Sequence, residues 1–315
     1  MTMTMDETVR QRTLDSYRLV DSLPEETYND IVRLASLLCD TPIALVTLLD
    51  RDRQWFKAKI GLDDDGTRRD EAFCNHAIAE PDQLMEVPDA TADPRFMQNP
   101  LVTGEMGIRF YAGVPLLGQG GAPFGTVCVI DRKERSLSGK QKTALAALAR
   151  LTMFLFETGQ RQREGERGEV LAAAEASAAT APAPAVPTGF AVVLFELVDW
   201  AGATKRIGER AVERALQRLE DELQARLRPG SGDSVNRVTG SPELIVVLHG
   251  DDVGEALAQL HACIPSFERE TELQVLTAHA VSESPGEKTE FVYLRADAAL
   301  SEEKDVYRAG LAAAG

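Results

Sequence analysis

The stretch Ile108–Asp131, IRFYAGVPLLGQGGAPFGTVCVID, constrains this chain more than any other. Its first arm, Ile108–Leu117, is rich in aromatic and branched residues. Its second, Phe124–Ile130, alternates and then runs apolar. Gly118-Gln119-Gly120-Gly121 supplies the turn, because glycine reaches positive φ without steric cost. A hairpin this apolar does not stand alone in water. It belongs inside a larger sheet, with one face on a core.

At 315 residues the chain has room for about two domains. Its formal net charge of −16 argues against a general nucleic-acid or anionic-membrane surface, both of which want a basic face. A small anion in a local pocket stays compatible with that charge. No apolar run reaches the length of a transmembrane helix, and the opening MTMTMDETVRQR has no apolar segment or cleavage pattern. The expectation is a cytoplasmic protein. Cys39, Cys74, Cys128 and Cys263 are scattered without a CxxC pair, as reduced, mostly core thiols would be.

In chain order, Asp6–Val20 has a partial helical stripe. Ser22 is a candidate N-cap, with Pro24 and Glu25/Glu26 suited to a first helical turn. Tyr28, Ile31, Leu34, Ala35 and Leu38 continue as an i, i+3, i+4 stripe that Pro42 stops. Ile43–Leu49 and Gln54–Ile60 read as strands around a polar turn, Glu71–Ile78 as a short helix, and Leu84–Val87 as a third strand. PDATADPRFMQNPLV is a long polar loop of the kind that is functional or mobile. The hairpin adds strands four and five. Gln141 to about Gln162 is a long helix with one apolar face. Residues 163–188 are of low complexity and read as a flexible Ala/Pro linker. Beyond it, strands at Phe190–Leu197, Val235–Val238, Leu244–Leu248 and Leu273–Val281 alternate with helices at Glu209–Leu227, Val253–Cys263 and Phe291–Leu300. The order is βαββαβ and a last helix, so the whole chain is α+β.

Pro42-Ile43-Ala44-Leu45-Val46, Arg53-Gln54-Trp55-Phe56-Lys57-Ala58, Phe73-Cys74-Asn75-His76-Ala77-Ile78, Asp93-Pro94-Arg95-Phe96, Ile108-Arg109-Phe110-Tyr111-Ala112-Gly113 and Gly125-Thr126-Val127-Cys128-Val129-Ile130-Asp131 stand in one order over residues 7–160. This segment resembles a GAF domain. The resemblance implies a PAS-like central antiparallel sheet with flanking helices and a ligand pocket in front. It also implies a small-molecule ligand that the sequence does not name, and dimerisation through terminal helices. Trp55, Phe73, Cys74, His76, Phe96, Arg109, Phe110 and Tyr111 are the candidates to line the pocket, although large aromatics such as Trp55 and Phe110 more often pack a core. Arg109 either faces solvent, pairs with a carboxylate such as Asp89, or meets a ligand anion. Cys74 and His76, two apart on a helix, point to different faces and lack further ligands at metal spacing.

The second region resembles the GGDEF domain of bacterial diguanylate cyclases in a worn form. The resemblance rests on Phe195-Glu196-Leu197 leading to Thr204-Lys205-Arg206-Ile207-Gly208-Glu209, on Arg237-Val238-Thr239-Gly240-Ser241-Pro242-Glu243-Leu244, and on Arg295-Ala296-Asp297-Ala298-Ala299-Leu300 with Lys304. The family needs two carboxylates for divalent metal, and polar groups that read guanine. Here the first carboxylate falls on Glu196 and the second on Pro242, which cannot bind metal and fixes φ in a glycine turn. The guanine-reading pair falls on Thr204 and Glu213. Gly240, Glu243 and Lys304 complete the degenerate nucleotide site. No catalytic or metal residue is assigned, and no cofactor is implied.

The expected domains are 1–162, a GAF sensor; 163–188, a linker; and 189–315, the degenerate GGDEF-like domain. The expected function is signalling: a sensor coupled to an inactive GGDEF-like domain that acts by binding, as a homodimer, with a protein partner in cyclic di-GMP signalling. The alternatives are enzymes, either an active diguanylate cyclase or a GAF-type thiol reductase using Cys74.

Overall fold

The computed structural model describes residues 6–180, 189–228, 230–238, 240–250, 253–284 and 286–314. The chain divides into two compact units, Met1–Gln160 and Arg161–Gly315. Among the described residues no helix is long and apolar enough to cross a membrane.

In the first unit the elements are α1 (Glu7–Ser16), α2 (Glu26–Cys39), β1 (Ile43–Leu49), β2 (Arg53–Ile60), β3 (Gly66–Arg68), α3 (Phe73–Ala77), β4 (Met85–Val87), α4 (Pro100–Thr103), β5 (Phe110–Leu117), β6 (Pro123–Asp131) and the first part of α5 (Gly139–Thr180). The strands form one antiparallel sheet in the order β3-β2-β1-β6-β5-β4. The apolar hairpin is β5–β6, and its turn uses Gly120 and Gly121 at φ 66° and 79°. β6 is buried along its whole length because β1 and β5 flank it and both faces are covered.

Side chains alternate between those faces. Ala44, Val46 and Leu48 of β1, with Val127 and Val129 of β6, pack on α1, α2 and α5. Ile43, Leu45 and Leu49, with Cys128 and Ile130, pack on the opposite face against α3 and the long polar loop. Each fully buried Val, Leu or Ile among them contributes about 1.5–3 kcal/mol. A bulge interrupts β2: Val46 pairs with Ala58 and Thr47 with Phe56, leaving Lys57 extra. Its ammonium is wholly buried and donates to Ser22 Oγ (2.7 Å), the Leu23 carbonyl (2.8 Å) and Glu25 Oε1 (2.7 Å). Ser22 is therefore not an N-cap. It serves Lys57, and α2 begins four residues later. The three-residue β3 carries too little pattern to be read from sequence.

The second unit contains the rest of α5, then β7 (Phe190–Leu197), α6 (Trp200–Ile207), α7 (Glu209–Gln224), β8 (Ser234–Arg237), β9 (Glu243–His249), α8 (Val253–His261), α9 (Ile264–Thr271), β10 (Val275–Val281) and α10 (Thr289–Ala314). Its antiparallel sheet runs β10-β7-β9-β8. α6 to α9 cover one face, and α10 with the end of α5 covers the other.

The linker expectation needs correction. α5 is one helix of 42 residues, and it continues through 163–180. Low complexity there is alanine richness, and alanine is the best helix former. Leu171 and Ala174 are buried on the second sheet, so the second unit starts at Arg161 rather than at 189. The remainder of the expected linker, 181–188, lies outside the described residues, as does Thr239 of the worn hairpin motif.

Candidate functional site

On the loop-covered face of the first sheet, polar groups converge on one sulfur. Cys74 sits in α3 and is 1% exposed. Gln54 Nε2 of β2 donates to its Sγ at 3.0 Å, Thr126 Oγ1 of β6 lies at 3.0 Å, and the hydroxyls of Thr47 and Tyr111 donate at 3.4 Å. The Gln54 amide is oriented, since its Oε1 accepts from Thr67. Cys128 of β6 is buried in the same cluster on this face of the sheet. Tyr111 reaches it because Gly113, opposite Cys128 in the β5–β6 register, has no side chain; a Cβ there would lie 2.1 Å from the phenol oxygen. Burial pushes the Cys74 thiol up, but hydrogen bonds from Cys128, Thr126, Thr47 and Tyr111 outweigh it and bring the pKa down to about 6. Burial and the neighbouring Cys74 push Cys128 well above its ordinary value, and push the Tyr111 phenol up as well.

Cys74 also lines a cavity of about 20 Å³, with Gln54, Phe56, Phe73, Ile108 and Tyr111. Half-buried Leu62, Leu101 and Met106 lie on its outer side. That volume holds about one water, far short of the several hundred Å³ of a usual ligand pocket. The polar loop forms the lid: Asn99 caps α4 by accepting from Leu101 N at 2.8 Å and donates to the Glu71 carbonyl at 2.8 Å.

Of the eight expected pocket residues, three line this cavity: Phe73, Cys74 and Tyr111. Phe96 stacks on Phe73 at 4.0 Å, one layer out, and His76 meets Phe96 edge-on at 4.8 Å. Burial and nearby Arg95 lower the His76 pKa. Trp55 and Phe110 point to the helix face, one residue out of phase with Phe56 and Tyr111. Arg109 donates to the carbonyls of Val102 and Ile108, both at 3.0 Å, and so braces the lid. Sequence reasoning missed Gln54, Thr47, Thr126 and Cys128. Gln54 and Cys128 stood inside quoted motifs, and strand parity from Tyr111 would have put Cys128 on its face.

In the second unit the side chains expected at a nucleotide site make partners within the unit. Glu196 and Glu243 are direct cross-strand neighbours on β7 and β9. Glu196 Oε2 accepts from Lys304 Nζ at 2.7 Å. Glu243 is fully buried and accepts from Arg167 Nε at 3.3 Å and the Tyr293 hydroxyl at 3.2 Å. Two like charges so placed repel unless each has its own cation, and here each has one. The Pro242 carbonyl accepts from Leu197 N at 3.1 Å, and Gly240 turns the chain at φ 64°. Glu213 pairs with Arg237 at 2.6 Å. Thr204 Oγ1 is buried without a hydrogen-bond partner among the described residues. No group of three or more metal-ligating side chains occurs among the described residues.

An antiparallel sheet with helices on one face and a loop-capped cavity on the other defines the class of the first unit, a PAS-like α+β domain. Residues 23–154 match the family model of the GAF domain, and this part of the chain is a GAF domain. The chain is similar to a cyclic di-GMP phosphodiesterase of Pseudomonas aeruginosa, 44% identical over 154 residues. That stretch is 49% of this chain and 26% of the relative, so the match spans about a quarter of the relative's length. Among solved structures, a microbial GGDEF domain studied with cyclic di-GMP is 26% identical, with a TM-score of 0.37, 45% of this chain covered and 85% of that one. The GAF domain of an Acinetobacter phosphoenolpyruvate-protein phosphotransferase is 15% identical, with a TM-score of 0.36, covering 48% of this chain and 96% of that one.

Proposed function

We propose that this chain is a cyclic di-GMP signalling protein in which a GAF unit accompanies a GGDEF-like unit that no longer makes the dinucleotide. The observation that carries this reading is the Glu196–Lys304 pair beside Pro242. A cyclase needs its carboxylates free for divalent metal; here one position is a proline ring and the other carboxylate is bound to a fixed ammonium. The fully buried Glu243, held by Arg167 and Tyr293, supports the same view. The relative's role as a cyclic di-GMP phosphodiesterase supports the pathway. Purified full-length chain with GTP and magnesium or manganese is expected to give no cyclic di-GMP by liquid chromatography; a product peak would overturn the reading.

The GAF unit then works through its surface more than through a filled pocket. Anything larger than water enters only if the lid around Leu101 and Met106 moves. Leu34, Leu37 and Leu38 of α2 and Leu151 and Phe154 of α5 are 43–76% exposed, an apolar strip that supports a second copy as partner. Sedimentation should give a dimer that Leu37→Glu with Phe154→Glu turns to monomer; a monomeric parent at tens of micromolar would remove the dimer.

A further inference from the structure

The family that the second unit resembles holds divalent metal on two carboxylates, and the residues here do not fit a metal. One of the two expected positions is Pro242, and no group of three or more metal-ligating side chains occurs among the described residues. Glu196 and Glu243 nevertheless stand opposite each other on β7 and β9, a pairing that brings Cβ atoms to about 4.5–5.5 Å. Two carboxylates so placed need positive charge beside them. The chain supplies it from two helices: Lys304 of α10 lies 2.7 Å from Glu196, and Arg167 of α5 lies 3.3 Å from Glu243.

Arg167 does not come to Glu243 alone. Its side chain is 12% exposed and that of Glu243 is 0% exposed, so the pair is interior. The guanidinium carbon lies 5.9 Å from the ring centre of Tyr293, whose hydroxyl donates to the same carboxylate. Two turns further along α5, Glu175 accepts from the Thr289 backbone N–H at 3.2 Å and from its hydroxyl at 2.7 Å, at the start of α10. A carboxylate there meets the positive end of that helix. Between the two contacts, Leu171 and Ala174 are buried on the sheet.

We propose that residues 167–175 of α5 are an internal plug: Arg167, together with Lys304, takes the place of divalent cations, closes the carboxylate pair and leaves the second unit independent of metal. This rests on the reading that the second unit is GGDEF-like and makes no dinucleotide. Glu175 seats the far end of the plug on α10, and Arg167 seats the near end on Glu243. A divalent ion, or a nucleotide carrying one, reaches Glu243 only when Arg167 leaves it.

The test uses the full-length chain and two readouts. Glu243→Gln keeps the shape and removes the charge that holds Arg167. Amide hydrogen exchange over residues 164–175, followed by mass spectrometry, should quicken by about tenfold or more in this variant, as loss of a charged hydrogen bond requires. Unchanged exchange there would overturn the plug. The second probe is manganese chloride alone. Millimolar manganese should leave the denaturation midpoint of the second unit unchanged, read from Trp200 in a Trp55→Phe background. In the same background, Arg167→Met/Lys304→Met removes both built-in cations, and manganese should raise its midpoint or restore its folding. A midpoint that rises with manganese while Arg167 and Lys304 are in place, or a double variant that does not respond, would overturn the plug. Cyclic di-GMP formed by the wild-type chain would overturn instead the reading on which the plug rests, and the exchange result separates the two failures.

Discussion

The two units each bury a polar cluster, and the clusters are opposites. Around Glu196 and Glu243 every negative charge has a fixed positive partner, Lys304 or Arg167. Around Cys74, among the described residues, the hydrogen-bond partners come from four strands and are all uncharged. Charge matched by charge is a lock: it holds a shape and leaves little for an incoming ion. A sulfur ringed by neutral donors is poised, because its charged form is stabilised without being consumed by a counterion. Of the two clusters, the one in the GAF unit leaves its sulfur without a counterion, while the one in the GGDEF-like unit ties its carboxylates to fixed cations.

The sharpest way to break this contrast is to unlock the carboxylates. Arg167→Met removes the guanidinium that pairs with the buried Glu243, and should destabilise the second unit by about 3 kcal/mol. Adding Glu243→Met should recover most of that loss, since an apolar pair of similar volume needs no counterion. The chain has two tryptophans, Trp55 and Trp200, one per unit, so in a Trp55→Phe background denaturation followed by Trp200 fluorescence reads the second unit alone. A loss below about 0.5 kcal/mol would make this pair as unimportant as a surface bridge.

In the first unit, Lys57→Met removes the buried ammonium that holds Ser22–Glu25. It should reduce stability by about 2 kcal/mol, read from Trp55 fluorescence in a Trp200→Phe background.

A smaller effect tests a partly exposed cluster. Burial raises the Glu7 pKa, but hydrogen bonds from Arg10 and Arg69 outweigh it and bring the value down to about 2 from 4.5. A carboxylate depressed on folding stabilises above its unfolded pKa, and that contribution fades as pH falls from about 4.5 to about 2. Glu7→Gln should therefore be destabilised by on the order of 1 kcal/mol at neutral pH, after solvent screening, and match the parent near the lower end of that window.

The smallest change is Tyr111→Phe. It removes one donor of several from Cys74, so a thiolate absorbance titration should move upward by a fraction of a pH unit, roughly half. A downward move would mean that the phenol does not donate to the sulfur.

Several elements were legible because their cause is local. The β5–β6 hairpin followed from alternation and two glycines, and the α2 stripe from its 3.6 period. Pro242 was legible as a residue without a carboxylate, whatever its context. Other elements were not legible. The Ala-rich run 163–180 has no stripe of its own, and only packing of Leu171 and Ala174 on a sheet formed later in the chain shows it to be a buried helix. Ser22 looked like a cap until Lys57, thirty-five residues away, claimed it.

By itself, then, the order of residues determined the α+β class and the sheet's central hairpin, because periodicity and turn residues are properties of neighbours along the chain. Only the tertiary structure decided that Trp55 and Phe110 are core, that the cavity holds about one water, and that Gln54, Thr47, Thr126 and Tyr111 gather around Cys74. Those depend on strand parity, a bulge and cross-strand register, which join residues more than seventy positions apart through contacts that no local pattern encodes.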